Sequence, residues 1–433
     1  HGQYGFLHLT FEEMLAAKGI AARAQLGLQG AVEVILRYLD EPGWHETILL
    51  AVGALGVVGQ QPQAAGAVLC ALCDVCLEGE ACGRPVVLAG EALLDVGEVG
   101  VGRKAAAQVT ARLVTAMQDA AAPVRTRREA GLLLGNLGWQ PEDLDAFVEI
   151  PAGKFLYADD KKEREIPHCY WMGKYPVTNA QYARFIEDSG YERQEFWGEG
   201  GWAWRTGTYD SKAPDNLKDW LSRRPPDKRN RPFYWEDVKW NNPLFPVVGV
   251  TWFEAAAYCR WLEKKLQVTG SKLQVWRDEQ LVTCNLQLVT GSVRLPTEEE
   301  WERAARGVEG LEYPWGDAWD FTRLNCADAW AGEVLDSAGW NQWLDGKGYE
   351  PAGTTAVCTY PQGESQAGVW DMSGNVWEWT ASHWDEANMV ARGGSWINDR
   401  RSARCACRDR DVSDDFITYV GFRVLLSLVN SDF

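Results

Sequence analysis

Residue types able to do chemistry gather late in this chain, between Arg392 and Val424 (RGGSWINDRRSARCACRDRDVSDDFITYVGFRV). Two thiols, Cys405 and Cys407, stand beside four carboxylates, Asp409, Asp411, Asp414 and Asp415, with Arg401 a few residues before them. An arginine suits a carboxylate or phosphate ligand. Clustered aspartates suit a basic or polyhydroxylated ligand, and equally a plain solvated face. Upstream, Cys70, Cys73 and Cys76 recur three apart, with Cys82 following. On a helix this spacing lines small thiols along one face. With no histidine nearby and an Ala/Val/Leu-rich context, buried core thiols are expected there rather than zinc. No G-x-x-x-x-G-K-[ST] loop occurs, so the chain has no P-loop with which to cradle a nucleotide.

The elements that must position the late stretch are legible at its edges. Arg392-Gly393-Gly394-Ser395-Trp396 and Gly421-Phe422-Arg423-Val424 read as strand segments with glycine where backbones approach closely. Between them the pattern has neither period 2 nor period 3.6, which predicts one long ordered loop.

The remainder of the chain divides by composition. Of 23 tryptophans nearly all fall after residue 138, and 46% of the 433 residues are hydrophobic. Two or three domains with different cores are expected. Residues 1–146 read as an all-α helical-repeat domain. Its helices are predicted near 27–39, 43–58, 63–78, 84–96, 103–119 and 123–136, after a first amphipathic helix carrying a Thr10/Glu13 capping box. Residues 147–433 read as a second domain of short strands, helices capped by Thr178 or Asn179 and by Thr297 with Glu300, and long Trp/Gly/Pro-rich connections over 190–245. Hairpin signals stand at Thr269-Gly270 and Thr290-Gly291. The fold class is therefore α+β.

Charge narrows the partners. Lys and Arg number 43 against 61 Asp and Glu, a net charge of -18, which argues against nucleic acid. No apolar run of about 18 residues is present, so no membrane helix is expected. An odd total of 11 cysteines without a secretory signal favours reduced thiols and a cytoplasmic location. Because the chain starts at His1-Gly2-Gln3, it is expected to be a fragment of a longer protein.

Two stretches carry family resemblances. Gly5-Phe6-Leu7-His8-Leu9-Thr10-Phe11-Glu12-Glu13-Met14-Leu15-Ala16-Ala17, with Trp44-His45-Glu46, resembles the region after the nucleotide-binding core of NACHT-type NTPases. That resemblance implies a missing upstream NTPase module as a partner. Six motifs then follow in order: Ile150-Pro151-Ala152-Gly153, Tyr175-Pro176-Val177-Thr178-Asn179, Arg294-Leu295-Pro296-Thr297-Glu298, Met372-Ser373-Gly374-Asn375-Val376-Trp377-Glu378-Trp379, Arg392-Gly393-Gly394-Ser395 and Gly421-Phe422-Arg423. Together they resemble the formylglycine-generating-enzyme family over residues 147–428. The resemblance implies that family's irregular variant of the C-type lectin fold.

What the resemblance implies about chemistry is checked against the ligands present. Oxidase members of the family bind copper with two cysteines. Cys405 matches one, but Arg400 stands where the partner belongs, and Cys407 would point to the opposite face of a strand. Relatives that hold iron use histidines, and only His168 and His383 occur in this region. Neither copper nor iron is expected, and the ligand count predicts that this chain is not an enzyme. Calcium is a possible cofactor: by resemblance Asp371, the carbonyls of Gly374 and Val376, and Glu378 would be its ligands. The same carboxylates would otherwise cap the turn.

One compositional feature of the loop points elsewhere. From Ile397 to Tyr419 there is no Lys, Glu, Gln, Met or Trp. Those are the residues unreachable by changing the first two bases of an Asn codon. The loop thus resembles the variable region of a diversity-generating retroelement protein, a bacterial system that randomises such codons on a C-type lectin scaffold. The implied variable positions are Ile397, Asn398, Asp399, Arg401, Ser402, Asp409, Asp411, Val412, Asp414, Asp415, Ile417, Thr418 and Tyr419, with Trp396 adding apolar area. The expected function is recognition of an unidentified ligand, protein or small molecule, as the sensor end of a NACHT-type ATPase. The alternatives are a metal-dependent oxidase or oxygenase using Cys405, and a structural interaction domain with an ordinary polar loop.

Overall fold

Apolar residues at helical spacing build the first part of the chain. A computed structural model describes residues 9–39, 41–269, 272–277, 280–285 and 291–428. The chain divides into two compact units, one ending at Trp139 and the other starting at Gln140. The first contains α1 (Leu9–Leu26), α2 (Leu28–Arg37), α3 (His45–Gly53), α4 (Pro62–Cys73), α5 (Arg84–Val101), α6 (Arg103–Gln118) and α7 (Val124–Asn136). Its core is aliphatic, with Ile35, Val52, Leu69, Leu72, Leu93, Leu113 and Leu134 buried. Neighbouring helices pack on each other, α4 on α5 and α6 on α7. Gly97 breaks α5 with φ 65.

Two sequence expectations change here. The helix predicted over 63–78 stops at Cys73, leaving Cys76 exposed beyond its end while Cys73 is buried. The three thiols therefore do not share one buried face. The stretch resembling NACHT proteins begins at Gly5 to His8, which, with the Thr10 side chain, lie outside the described residues.

The predicted boundary at 146/147 also moves earlier. Residues 140–146 pack into the second unit because Asp143 accepts from Lys174 Nζ at 2.5 Å and the Leu144 carbonyl accepts from Gln181 at 3.0 Å. That unit opens with β1 (Phe147–Ile150), β2 (Gly153–Tyr157), β3 (Lys162–Ile166) and β4 (Tyr170–Gly173). Then come α8 (Asn179–Glu187), α9 (Glu199–Thr206), α10 (Asp215–Leu221) and α11 (Trp252–Thr269). Next follow β5 (Lys272–Arg277), β6 (Gln280–Asn285), β7 (Gly291–Arg294), α12 (Glu298–Arg306), α13 (Ala327–Ala331) and α14 (Ser337–Asp345). The chain closes with β8 (Trp377–His383), β9 (Asn388–Arg392), β10 (Arg408–Val412), β11 (Val420–Phe422) and β12 (Leu425–Leu428). Thr178 with Gln181 caps α8, and Thr297 with Glu300 caps α12, each as a reciprocal capping box. Gly270 and Thr290 of the two hairpin signals lie outside the described residues.

A six-stranded sheet runs β6-β5-β1-β4-β12-β7, and a four-stranded one β10-β9-β8-β11. In the second, β11 lies parallel to β8 while β9 and β10 are antiparallel neighbours. The aromatic core includes Tyr182, Phe185, Tyr258, Trp261, Trp379 and Phe422. Tyr182 stacks on Tyr258 with ring centroids 5.4 Å apart. Among the described residues no helix is long and apolar enough to cross a membrane.

Candidate functional site

The stretch 392–424 starts and ends in buried ion pairs. Arg392, the last residue of β9, is fully buried and pairs with Glu302 of α12. Its guanidinium also donates to the Ala406 and Cys405 carbonyls at 3.2 and 3.1 Å. Arg423 grips Glu378 through two bonds of 2.6 and 2.7 Å and donates to the Gly173 and Trp370 carbonyls. Every nitrogen of Arg423 finds a partner, whereas Arg392 keeps a buried Nε without one; a buried charge is costly to leave without its counter-ion, so the two pairs fix both ends of the loop. Gly393 and Gly394 turn the chain with φ 102 and 74, where any Cβ at Gly394 would lie 2.8 Å from the Ser402 carbonyl oxygen.

Between these ends the backbone is clamped from several directions. Ala327 N–H donates to the Asn398 carbonyl and Trp340 Nε1 to that of Ile397, both at 2.9 Å. Trp377 N–H reaches the Tyr419 carbonyl at 2.8 Å, Gly249 N–H that of Ile417, and Trp252 N–H that of Ser413. The predicted continuous loop is interrupted: Arg408–Val412 is a strand paired with β9, which sets Asp409 opposite Ala391 and Asp411 opposite Met389. On a strand Asp409 and Asp411 share a face.

The side chains divide into three groups. Trp396, Asp399, Val412, Asp414 and Asp415 are buried. The expectation that Trp396 and Val412 offer ligand-facing surface is therefore corrected. Trp396 packs on Trp240 with centroids 5.5 Å apart and donates to the Thr418 carbonyl at 3.3 Å. Val412 turns inward on β10. Asn398 is half-buried, its Oδ1 accepting from Trp377 Nε1 and Ser395 Oγ at 2.9 and 2.6 Å. Arg401 is exposed and folds back onto Asp399 and Ser337, away from the aspartates; Ser402 is half-buried beside it in sequence.

The third group converges on Tyr419. Ile397 and Tyr419, both half-buried, pack on a cluster of Trp240, Val248, Val376 and Trp396. Burial first, then the charges of Asp411, Asp415 and Asp409, pushes the Tyr419 hydroxyl up to about 12. Asp411 and Asp415 approach within hydrogen-bonding distance of each other; burial first, then the Asp415 charge, pushes Asp411 up to about 8. Asp415 also accepts from Trp220 Nε1 at 2.6 Å. Ile417 and Thr418 are half-exposed on the same strand approach. Asp414 faces Ser211, Tyr209 and Arg229 instead.

Sequence reasoning missed the surroundings of this group: Tyr234, Trp330, Trp343 and Tyr349 pack on the same cluster from segments far away in the chain. The available signal was the tryptophan density of 190–245 and 315–343. It marks anchors without saying where they meet.

The metal expectations meet specific geometry. Glu378 is fully buried, and its oxygens serve Arg423 and Trp301 Nε1, the latter at 2.7 Å. That carboxylate does not fit a calcium ligand. Asp371 retains a buried Oδ2 without a partner, and burial pushes its carboxyl up to about 7. Gly374 sits at φ 77 with its N–H on the Gly393 carbonyl, and Val376 is buried. Of the two carboxylates among the predicted ligands, only Asp371 keeps an unpartnered oxygen. Cys405 is fully buried and its thiol is raised by burial, while Cys407 is only partly buried. Among the described residues no group of three or more His, Cys, Asp or Glu is placed to hold a metal ion.

Comparison with known proteins agrees with this architecture. Inactive C-alpha-formylglycine-generating enzyme 2 of Bos taurus is 28% identical over 310 residues, covering 64% of this chain and 86% of that protein. The formylglycine-generating enzyme of Bos taurus is 26% identical over 354 residues, covering 71% and 82%. Hercynine oxygenase of Mycolicibacterium thermoresistibile is 32% identical over 218 residues, covering 49% and 36%. Among solved structures, Treponema denticola variable protein 1 aligns over 64% of this chain and 94% of its own at 17% identity, with a TM-score of 0.37. At that TM-score the likeness carries no argument. The model of the sulfatase-modifying factor enzyme 1-like domain matches residues 135–428, most of the chain, and the protein belongs to that formylglycine-generating-enzyme-like family.

Proposed function

We propose that this chain is a recognition protein, using its family scaffold to hold a diversified loop against an unidentified ligand. One observation carries the reading. The backbone of 392–424 is clamped by buried ion pairs and carbonyl contacts, while Ile397, Asp409, Asp411, Ile417, Thr418 and Tyr419 stay wholly or partly accessible. A surface whose backbone is fixed and whose side chains are free to differ is what a diversified binder needs. The inactive relatives support a non-catalytic scaffold, and the buried Cys405, with Arg400 at the sequence position where a second thiol belongs, supports it from this chain's own residues. In a longer, bacterial and cytoplasmic protein, ligand capture would pass through the helical unit to a NACHT-type ATPase.

Exchanging Ile397, Asp409, Asp411, Ile417, Thr418 and Tyr419 together for other residues reachable from Asn codons tests this directly. Melting temperature should stay nearly constant while the panel of bound ligands changes. An unchanged panel would sink the reading. A neighbouring reverse transcriptase gene with a near-copy of these codons would support the diversification itself.

A further inference from the structure

Resting on the recognition reading above, we propose that the Tyr419 face docks a polypeptide segment through an arginine or lysine side chain flanked by apolar residues. Two independent features meet there. The first is apolar: Tyr419, Ile397, Tyr234, Trp343 and Tyr349 are only partly buried and lie on one cluster floored by Trp396 and Trp240. Their breadth exceeds what a lone ammonium covers, so the occupant brings apolar side chains beside its cation. The second is the sign of the charge at the edge of this patch. Asp409 is exposed, Asp411 is half-exposed with its carboxyl against Asp415, and Asp237 lies beside Tyr234.

The cations nearby are already committed. Lys239 donates to the Glu350 carbonyl at 2.9 Å and stands over the Trp240 ring. Arg223 lies over the Trp220 ring at 5.5 Å, and Arg408 and Arg410, which flank Asp409 on β10, pair with Glu298 and Asp385. A ligand cation is therefore the complement this edge lacks. Tyrosine faces beside carboxylates favour an arginine or lysine by both charge and ring quadrupole. Because Asp411, pushed up to about 8 by burial and the Asp415 charge, holds a proton near neutral pH, an incoming cation beside it displaces that proton, so binding releases one.

An array of short random peptides, matched in length and differing in charge, is probed with the full chain. Hits are then measured by fluorescence anisotropy at low and high salt. Peptides carrying Arg or Lys next to apolar residues should dominate, weaken with salt, and release protons in calorimetry across buffers of different ionisation heat. Asp409→Lys, an exposed change that leaves the fold alone, should weaken them several-fold. Asp411→Asn with Asp415→Asn should weaken them about tenfold, with the melting temperature and near-UV dichroism confirming an intact fold. Neutral or acidic hits that are lost in Tyr419→Ala would overturn the basic partner while keeping the recognition face. Hits indifferent to both Tyr419→Ala and Asp409→Lys, or no hits at all, would overturn the docking proposal. The loop exchange above then reports separately on recognition.

Discussion

At the scale of single residues, the aspartates of this loop differ in role although they look alike in sequence. Asp409 is exposed, Asp411 shares hydrogen-bonding distance with Asp415, and Asp414 faces Ser211. Burial and the Asp415 charge raise Asp411 to about 8. A carboxyl whose folded value lies above its unfolded value binds its proton more tightly in the native state. Its stabilising contribution is complete below the unfolded value near 3.8 and is lost as pH rises towards 8. Melting temperature should therefore fall across that window, and Asp411→Asn, which cannot ionise, should flatten the decline. An unchanged slope in the variant would show that Asp411 titrates normally.

At the scale of elements, the short strand β10 and the two buried ion pairs convert an irregular segment into a fixed platform. Glu378→Ala leaves the Arg423 guanidinium buried with only carbonyl partners, a loss of about 3–5 kcal/mol. Chemical denaturation should show it as a lowered midpoint with an unchanged slope. Gly394→Ala asks an L-residue to hold φ 74 with a Cβ 2.8 Å from a carbonyl oxygen, and should cost about 1–3 kcal/mol. By contrast, Ile417 and Thr418 are held through backbone and are only half-buried, so their exchange for other residues should move the midpoint little. Tolerance at the side chains and intolerance at the frame are the two halves of one design.

For the whole molecule, the question is whether a scaffold shared with enzymes still does their chemistry. Copper capture by a thiolate needs access and a thiol that ionises readily. Cys405 has neither: it is fully buried, and burial raises its thiol. Titration with Cu(I) under a competing chelator should show no tight stoichiometric binding that Cys405→Ala abolishes. Such binding would restore the oxidase reading. The net charge of -18 gives the full chain a general preference for basic partners, which the loop's edge makes local.

Much of this was legible in the sequence because it rests on local rules. Helical periodicity marked α1 to α7, and the Thr297-x-x-Glu300 spacing marked the start of α12, whereas the cap of α8 stayed open between Thr178 and Asn179 until the structure showed Thr178 with Gln181. The ordered motifs from Ile150 to Arg423 carried the family and its irregular fold. The missing residue types between Ile397 and Tyr419 singled out the loop. What the sequence could not determine depends on which distant segments meet. Trp396 looked like ligand-facing area, yet Trp240 covers it; Glu378 looked like a calcium ligand, yet Arg423 and Trp301 occupy it. Val412 and Asp411 adjoin in sequence, but strand pairing sends one inward and leaves the other beside Asp415. Burial and partnership are set by packing across the whole chain, and only the tertiary structure decides them.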